Sequence, residues 1–505
     1  MHLISHKILS VVAFLLTLSG FLLTLPGVQA QVALSKTEQA GSAASAGSLA
    51  VDNHSIDMDW NEFRGGDRQS ISPLTGLPLR WNLQKNIAWK KPIEGFGLSS
   101  PVIVGHRLWV TTALEKDKTL HLICLHADTG EILWDLKAFQ KESLRKIHGK
   151  NSHATPTPLV YGDRCIAHFG SHGTIATDLE GRVLWRTEIP YYHHHGPGSS
   201  PVLVDDTLII ACDGHSESFY DDHVIAGVKE AQFVVGLDVA TGKERWRNAR
   251  DGQHSYATPL VIEVEGQKQV ICPGGNGIIA YHPDSGEELW SYQTKGYSVV
   301  PRPVFGHGLV FVCTGYDEPE LVAIRPPAKG PLSDSHVEWK STQAVPLNPT
   351  PILLGNQLYT ISDSGVLSCL EATTGKLTWR RRLGGNYSAS PVFADGRLYF
   401  LNEAGETTVV EPGNKYQFLA KNPLRGTTLA SISIARHALF IRTDTELFRV
   451  EQLSRNDDPE TGSSDTGESV AVPPATKVIQ PPTSAPGIRL RGRKTPTETP
   501  QAPNP

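Results

Sequence analysis

The sequence has few cysteines and none of the cysteine spacings that attach cofactors. Its six cysteines stand singly, without a Cys-x-x-Cys, a Cys-x-x-Cys-His or an adjacent pair. This excludes a c-type haem attachment site and a vicinal disulfide. Isolated cysteines are commonly small buried hydrophobic residues, but an exported protein could also oxidise a pair of them. The spacing leaves both states open for Cys124, Cys165, Cys212, Cys272, Cys313 and Cys369.

Long apolar runs are also scarce, and only one approaches the ~20 residues of a membrane span. It extends from Ile8 to Leu25, follows Lys7 and ends in small residues up to Ala30. This pattern predicts a signal peptide over residues 1–30 and an exported protein, periplasmic or extracellular, without a membrane span after cleavage. No cysteine follows the predicted cleavage site to take a lipid. An uncleaved anchor helix is the alternative.

No excess of charge and no common catalytic signature is present. The formal net charge of -5 argues against general nucleic-acid binding. No nucleophile elbow, phosphate-binding loop or kinase motif occurs. The usual sequence signs of a hydrolase or nucleotide-dependent enzyme are therefore missing.

The most informative feature that is present is a repeat. A Thr-Gly or Ser-Gly turn is followed four residues later by tryptophan, as in Thr241-Gly242 to Trp246, and a Ser/Thr-Pro step precedes each short apolar run. Tryptophans recur about every 40 to 60 residues, close to the period of propeller blades. We expect them to pack between blades rather than to act in catalysis. They are Trp89, Trp134, Trp185, Trp246, Trp290, Trp339 and Trp379.

Each repeat predicts a meander of four short antiparallel strands, and eight repeats fit the chain. The eighth repeat, from about Ser431, lacks its outer strand, whereas Asn86 to Trp89 forms an outer strand without a repeat before it. We therefore predict an all-β, eight-bladed β-propeller, closed by pairing of the N-terminal strand with the last blade, since closure removes a sheet edge. The first seven blades are predicted to start at Pro101, Pro156, Pro201, Pro259, Pro303, Pro351 and Pro391.

Low-complexity segments flank the propeller, which is predicted over residues 59–452. Residues 31–58 are rich in Ala, Ser and Gly and are predicted to be a disordered linker. Residues 453–505 are rich in Pro, Ser and Thr, which predicts a disordered tail. The basic end of that tail is compatible with a solvated segment or with a tether to an anionic surface.

The repeats resemble those of the pyrroloquinoline-quinone-type (PQQ-type) β-propeller family. Gly236 to Trp246 is close to the tryptophan-docking motif of that family, and Ala280 to Trp290 and Cys369 to Trp379 share its spacing. The resemblance covers about residues 60–452. Phe63 to Gly66 and Asn386 to Pro391 also resemble a group of exported bacterial propellers called PQQ-like, and the chain as a whole is similar to outer-membrane assembly factor B-like propellers.

The resemblance implies two different kinds of function. Quinoprotein dehydrogenases of this family use the quinone with calcium, a catalytic Asp and often a vicinal disulfide, whereas the outer-membrane barrel-assembly lipoprotein binds proteins with the same fold. This sequence lacks the vicinal cysteines and haem motif of the enzymes and the lipidated cysteine of the lipoprotein. Fold alone does not choose between these functions.

Histidines concentrate in one part of the chain, and their placement predicts a site. They precede inner strands or follow second strands, so all of them are expected on one face of three adjacent blades. Converging neutral imidazoles suit zinc or copper. The predicted metal ligands are His153, His172, His195, His215, His254 and Asp213, and the alternative is a polar surface whose histidines bond to backbone carbonyls. The ten histidines are His148, His153, His168, His172, His193, His194, His195, His215, His223 and His254.

A second predicted site is the axial mouth on the same face. Loops there carry Tyr256, Arg302, Tyr316, Asn348 and Tyr387. Arg302, held between two prolines, could pair with an anionic ligand, or it could brace adjacent blades by bonding to loop carbonyls.

The sequence thus favours an exported, monomeric binding or scaffold protein that uses a His-rich loop face, with a protein or glycan as partner. The alternative is a quinone- or metal-dependent oxidoreductase with its site at the axial mouth. The bound groups to consider are PQQ with calcium, zinc or copper, and the residues select none of them.

Overall fold

The computed structural model describes residues 59–193, 195–214 and 232–453. The predicted signal peptide, the linker and the tail beyond Leu453 lie outside these residues. Within the described ranges, no helix combines the length and apolar character needed to span a bilayer.

Eight separate sheets, each of four antiparallel strands, make up the described chain and confirm the predicted eight-bladed propeller. Each blade is a meander in which neighbouring strands are consecutive in sequence, and the closing blade is the exception. Blades are numbered 1 to 8 here, and the first strand of each lies nearest the axis. The face that carries the loops entering these inner strands and the loops joining second to third strands is called the loop face.

The strands of blades 1 to 4, from the inner to the outer strand, are β2 (Val102–Val104), β3 (Arg107–Leu114), β4 (Thr119–His126) and β5 (Ile132–Gln140); β6 (Leu159–Tyr161), β7 (Arg164–His168), β8 (Thr174–Asp178) and β9 (Val183–Thr187); β10 (Val202–Val204), β11 (Thr207–Asp213), β12 (Gln232–Asp238) and β13 (Glu244–Ala249); β14 (Leu260–Val264), β15 (Gln267–Gly274), β16 (Gly277–Tyr281) and β17 (Glu288–Gln293).

The strands of blades 5 to 8 are β18 (Val304–Gly306), β19 (Leu309–Cys313), β20 (Leu321–Ile324) and β21 (Val337–Ser341); β22 (Ile352–Leu354), β23 (Gln357–Ile361), β24 (Val366–Glu371) and β25 (Leu377–Arg382); β26 (Val392–Ala394), β27 (Arg397–Leu401), β28 (Glu406–Glu411) and β29 (Gln417–Pro423); β30 (Ser433–Ala435), β31 (Ala438–Arg442), β32 (Glu446–Glu451) and β1 (Ile87–Pro92).

Blade 8 closes the ring as predicted. Its outer strand is β1, which pairs antiparallel with β32 from Ile87 opposite Val450 to Pro92 opposite Glu446. Every residue of the second strand β31 is buried, because each sheet is covered on both faces by its neighbours. The core therefore lies between blades, and runs of Val, Ile and Leu fill it.

Tryptophans on the outer strands of seven blades, all except blade 7, lie at the contact with the next blade. The Trp246 indole N–H donates to the Pro283 carbonyl of the following blade at 2.8 Å. Trp290 differs, because its N–H donates to the Gln269 side chain of its own blade, and Gln269 in turn bonds to the Pro327 carbonyl of blade 5. The other five indoles, on Trp89, Trp134, Trp185, Trp339 and Trp379, donate to carbonyls of the next blade at Ala127, Leu179, Val239, Ala372 and Gly413.

The glycine of each docking turn has two roles that can be separated by mutation. Gly242 has φ +69°, and a methyl group there would lie 2.5 Å from Trp185 Cε3, whereas Gly105 has φ +55° with open space around it. We expect Gly105→Ala to cost about 1 kcal/mol from backbone strain. Gly242→Ala should cost about 2–4 kcal/mol, because the overpacked indole adds to that strain. Denaturant unfolding of both variants measures the difference, and equal losses would contradict the docking role.

A ring of hydrogen bonds encircles the axis at the start of the inner strands. In seven of eight blades a Ser or Thr hydroxyl accepts a bond from the backbone N–H of the equivalent residue one blade earlier, at 2.9–3.2 Å. We call these seven residues the hydroxyl ring. Blade 5 has Arg302 at this position, and its guanidinium Nε donates to the Pro259 carbonyl at 3.0 Å. The hydroxyl ring comprises Ser100, Thr157, Ser200, Thr258, Thr350, Ser390 and Ser431.

The ring corrects one predicted blade start. In blade 2 the bonded hydroxyl belongs to Thr157, so the inner strand follows Pro158 rather than Pro156. Two Thr-Pro steps are adjacent there, and it is the hydroxyl of the second that bonds to the backbone of blade 1.

An axial segment, residues 60–77, crosses the ring and blocks the channel. Its backbone pairs with Ile103 in β2 and with Phe393 in β26, and the Arg68 side chain donates to the Leu203 carbonyl in β10. Further hydrogen bonds join the segment to the inner strands of blades 2 and 5 and to the residue that precedes the inner strand of blade 6. Trp60 within the segment is 2% exposed. The segment therefore ties together blades on opposite sides of the axis.

Candidate functional site

A cavity of about 690 Å³ opens on the axis at the loop face. The hydroxyl ring and Phe63 of the axial segment form its floor, and the loops of the loop face form its walls. We call this cavity the axial funnel. Its volume lies in the range of sites that hold a small molecule or a short segment of a larger one.

Tyrosines and amides line the wall of the funnel. Tyr297 and Tyr316 have ring centroids 6.5 Å apart, and Tyr256 stands on the same side. Asn348 donates to the Asp363 carboxylate and lies 3.4 Å from the Tyr316 hydroxyl. The wall thus offers aromatic faces together with hydrogen-bonding groups that carry no charge.

Charges in the funnel are few, and one salt bridge joins two of them. Lys150 bonds to Glu403 at 2.8 Å, and Glu403 also accepts from the Ser388 hydroxyl at 2.7 Å. Burial raises the pKa of the Asp363 carboxyl, although the Asn348 amide and the Leu347 backbone N–H both donate to it. The carboxylates that line the funnel outnumber its cationic groups.

PQQ does not fit this lining. It is a flat anion with three carboxylates, and a site for it needs cationic partners in excess. Among the described residues that line the funnel, Lys150 is the single Lys or Arg, and it is bonded to Glu403. We therefore derive no chemistry through that cofactor.

The five residues predicted at the axial mouth fall into two groups. Tyr256, Tyr316 and Asn348 line the funnel. Arg302 is 1% exposed below it, where its guanidinium donates to the Phe63 carbonyl at 2.8 Å and approaches Glu62 at 3.7 Å. Its contacts match the alternative role of bracing blades. Tyr387 is also 1% exposed, within the core between blades 6 and 7.

The histidines of the loop face separate into two clusters. The first contains His148, His195 and His254, whose rings meet at centroid distances of 5.5 Å for His148 and His195 and 5.2 Å for His195 and His254. His148 and His195 line the funnel. Burial, helped by the neighbouring His148, lowers the pKa of His195 to about 4, so its imidazole is neutral at pH 7.

The second cluster, the buried histidine triad, consists of His153, His172 and His193. Ring nitrogens of the three lie within 4.8 Å of one another. Burial lowers the pKa of His153 to about 4 and that of His172 to about 3, and it holds the pKa of His193 well below its usual value. His193 was absent from the predicted ligand set. Side chains along this loop point in different directions: His193 is directed into the protein, whereas His195 lines the funnel.

The remaining predicted ligands are not part of the triad. Asp213 is bonded to Arg250 through both carboxylate oxygens, and the side chains of the two residues are 2% and 3% exposed. His215, like His194 and His223, lies outside the described residues.

All six cysteines are free thiols in buried positions. Cys212, Cys272 and Cys313 occupy second strands of adjacent blades. Burial raises the pKa of the Cys272 thiol to about 12, so it is neither ionised nor reactive at neutral pH.

Curated proteins of one kind resemble about half of this chain. Curated proteins called outer membrane protein assembly factor BamB are 25% identical over 244 residues in Burkholderia pseudomallei, 23% over 257 in Shewanella oneidensis and 25% over 276 in Bordetella pertussis. The matches cover 46%, 45% and 51% of this chain and 57%, 62% and 61% of those relatives. The chain thus spans about six-tenths of each relative's length.

Solved structures share the fold at lower identity. BamB from Moraxella catarrhalis aligns with a TM-score of 0.51 at 14% identity, covering 72% of this chain and 99% of that chain. A europium-containing methanol dehydrogenase aligns with a TM-score of 0.56 at 12% identity, covering 77% and 90%. These likenesses concern the fold alone.

A family model gives the broadest match. The model described as outer membrane protein assembly factor BamB matches residues 81–216, 213–332 and 334–422, more than half of the chain. With its eight blades and docking tryptophans, this chain belongs to the PQQ-type β-propeller family of the outer membrane protein assembly factor BamB.

Proposed function

We propose that this protein is an exported binding scaffold that holds a polypeptide segment of a partner protein in its axial funnel. The observation that carries the proposal is the lining of the funnel, which combines Tyr256, Tyr297 and Tyr316 with Ser, Thr and Asn side chains. Tyr supplies large contact area at low entropic cost, and Ser and Asn supply adaptable hydrogen bonds, a composition typical of protein-binding surfaces.

Two further observations support a polypeptide as the ligand. The family takes its name from factors that assemble outer membrane proteins, and such a task is performed on polypeptides. Lys150 and Glu403 are paired and the Asp363 carboxylate accepts from the Asn348 amide, so a ligand with few charges is not required to neutralise the wall. The oxidoreductase alternative gains no comparable support, because the lining is poorly suited to the quinone.

A photocrosslinking amino acid, placed in turn at two exposed tyrosine positions, tests whether the partner binds at the funnel. Tyr316 lies at the funnel, and Tyr161 lies in the hairpin between β6 and β7 on the opposite face, 36% and 52% exposed respectively. We expect adducts to one polypeptide partner from position 316 and none from position 161. Equal adducts from both positions would contradict the proposal, as would an adduct at position 316 that resists proteases but is removed by glycosidases.

The affinity of variants for the purified partner then measures how much the funnel wall contributes to binding. We expect Tyr316→Ala to weaken binding by about 2 kcal/mol, or about thirtyfold, as for a tyrosine at the centre of an interface. Tyr161→Ala is the matched control and should bind as the wild type does. Isothermal titration of both variants provides the measurement.

A further inference from the structure

The buried histidine triad brings together three separate parts of the chain. His153 lies in the loop that enters β6, His172 ends the 3₁₀ turn Gly170–His172 between β7 and β8, and His193 lies in the loop that enters β10. Their exposed fractions are 2%, 6% and 2%. None of the three lines the axial funnel. The triad is therefore a second site, distinct from the proposed binding site.

The hydrogen bonds of the triad leave one buried ring nitrogen unsatisfied. His172 Nε2 lies 3.1 Å from His153 Nδ1, and His193 Nδ1 lies 3.1 Å from the Ser171 hydroxyl. His193 Nε2 has no hydrogen-bond partner among the described residues. A buried polar atom without a partner is costly and calls for an explanation, and an unoccupied ligand position is one.

We propose that the buried histidine triad binds one divalent transition-metal ion of the zinc type, with His153 Nδ1, His172 Nε2 and His193 Nε2 as its protein ligands. Tetrahedral zinc, with Zn–N bonds of about 2.0–2.1 Å, separates its nitrogen ligands by about 3.3 Å. The nitrogens of His153 and His172 are already near that separation. Three imidazoles suit zinc rather than calcium or magnesium, which prefer oxygen ligands.

Neighbouring groups orient two of the three ligands. Ser171 holds His193 at Nδ1, which lies 3.1 Å from the Ser171 hydroxyl and accepts from the Ser171 backbone N–H at 3.4 Å, so Nε2 is the ring nitrogen left for a ligand. His153 also interacts with the Arg145 backbone, which helps to hold its ring in place. Gly170, with φ +60°, leaves room for the His193 ring, since a methyl group there would lie 3.0 Å from Nδ1. With three protein ligands, tetrahedral zinc would take water or a small anion as its fourth ligand.

Zinc titration of the mature chain, purified without a histidine tag, tests the proposal. With a competing chromophoric chelator, we expect one high-affinity site in the wild type and an affinity at least 100-fold lower in His172→Ala and His193→Ala. Ser171→Ala should lose about tenfold, as for residues that orient a metal ligand. His106→Ala is the control, because His106, His126 and Asp128 form another group of three close ligand atoms, and it should bind zinc as the wild type does.

X-ray absorption at the zinc edge gives an independent result on the wild type, in case the variants fail to fold. We expect three imidazole nitrogens at about 2.0 Å and no sulfur at about 2.3 Å. The proposal is overturned if the wild type binds no zinc, if the spectrum contains a sulfur ligand, or if folded His193→Ala retains wild-type affinity.

Discussion

Removal of residues 59–92 is expected to abolish the folded monomer. The deletion takes away β1, which leaves the apolar strand β32 as an open sheet edge, and it also takes away the axial segment. Trp60 and Trp81 are each 2% exposed, and loss of such a side chain costs about 3–5 kcal/mol. Two of them together equal much of the ~5–15 kcal/mol by which domains are stable. Light scattering after gel filtration measures the aggregation.

A circular permutant separates the two parts of this effect. Residues 86–92 placed after Leu453 can re-form the pairing of β1 with β32, because Ile87 lies opposite Val450 and Leu453 N–H already bonds to Asn86. We expect this permutant, without residues 59–85, to be monomeric but to unfold at a lower temperature than the wild type. A chain ending at Leu453 should unfold like the wild type. A fully stable monomer after the simple deletion would show that closure and the axial segment are dispensable.

Loss of one partner of the buried ion pair between Asp213 and Arg250 is expected to be the most damaging single substitution. Asp213→Ala leaves the Arg250 guanidinium charged and buried, which costs about 3–5 kcal/mol. Asp205→Ala breaks the exposed bond to Lys268 and is the control, with an expected loss below about 1 kcal/mol. Denaturant unfolding monitored by tryptophan fluorescence measures both.

A double variant tests whether the charge, rather than the packing, is responsible. Asp213→Leu combined with Arg250→Met removes both ions, and we expect it to be clearly more stable than Asp213→Ala. Zinc affinity should be unchanged in Asp213→Ala, since Asp213 is not part of the buried histidine triad. A loss equal to that of Asp205→Ala would refute the assignment of a buried, coupled pair.

The repeats predict the blades well because each carries its own local signal. A Ser/Thr-Pro step, a turn glycine and a tryptophan recur in most units, so an error in one unit is corrected by its neighbours. The predicted start of blade 2 was wrong because two such steps, Thr155-Pro156 and Thr157-Pro158, are adjacent there and the repeat pattern does not distinguish them. The axial segment went unrecognised because residues 60–77 have no repeat, and their hydrogen bonds reach partners up to some 300 residues away.

The burial of the candidate site residues could be predicted less well than the blades, because burial of a loop side chain has no local signal. Arg302 and Tyr387 stand in loops near the axis, as Tyr316 does, yet they are buried and Tyr316 is not. His193 turns inward, against the turn at Gly170, and His195 is more exposed, a difference that the two residues themselves do not indicate. The sequence thus indicates that these side chains belong to loops of one face, but not which of them are buried, and the metal and binding sites themselves stay predictions.

In a ring of eight similar blades, no blade is distinguished from the others by its position, and Arg302 distinguishes blade 5. Seven positions around the axis present the same hydroxyl, so a segment crossing the channel would meet nearly the same surroundings in eight rotational settings. Only blade 5 offers a guanidinium, which reaches the Phe63 carbonyl and lies beside Glu62 of the axial segment. These contacts hold the axial segment at a single rotational position about the axis. The floor of the funnel is therefore asymmetric. A ligand seated on that floor can be held in one orientation, which eightfold symmetry alone would not allow.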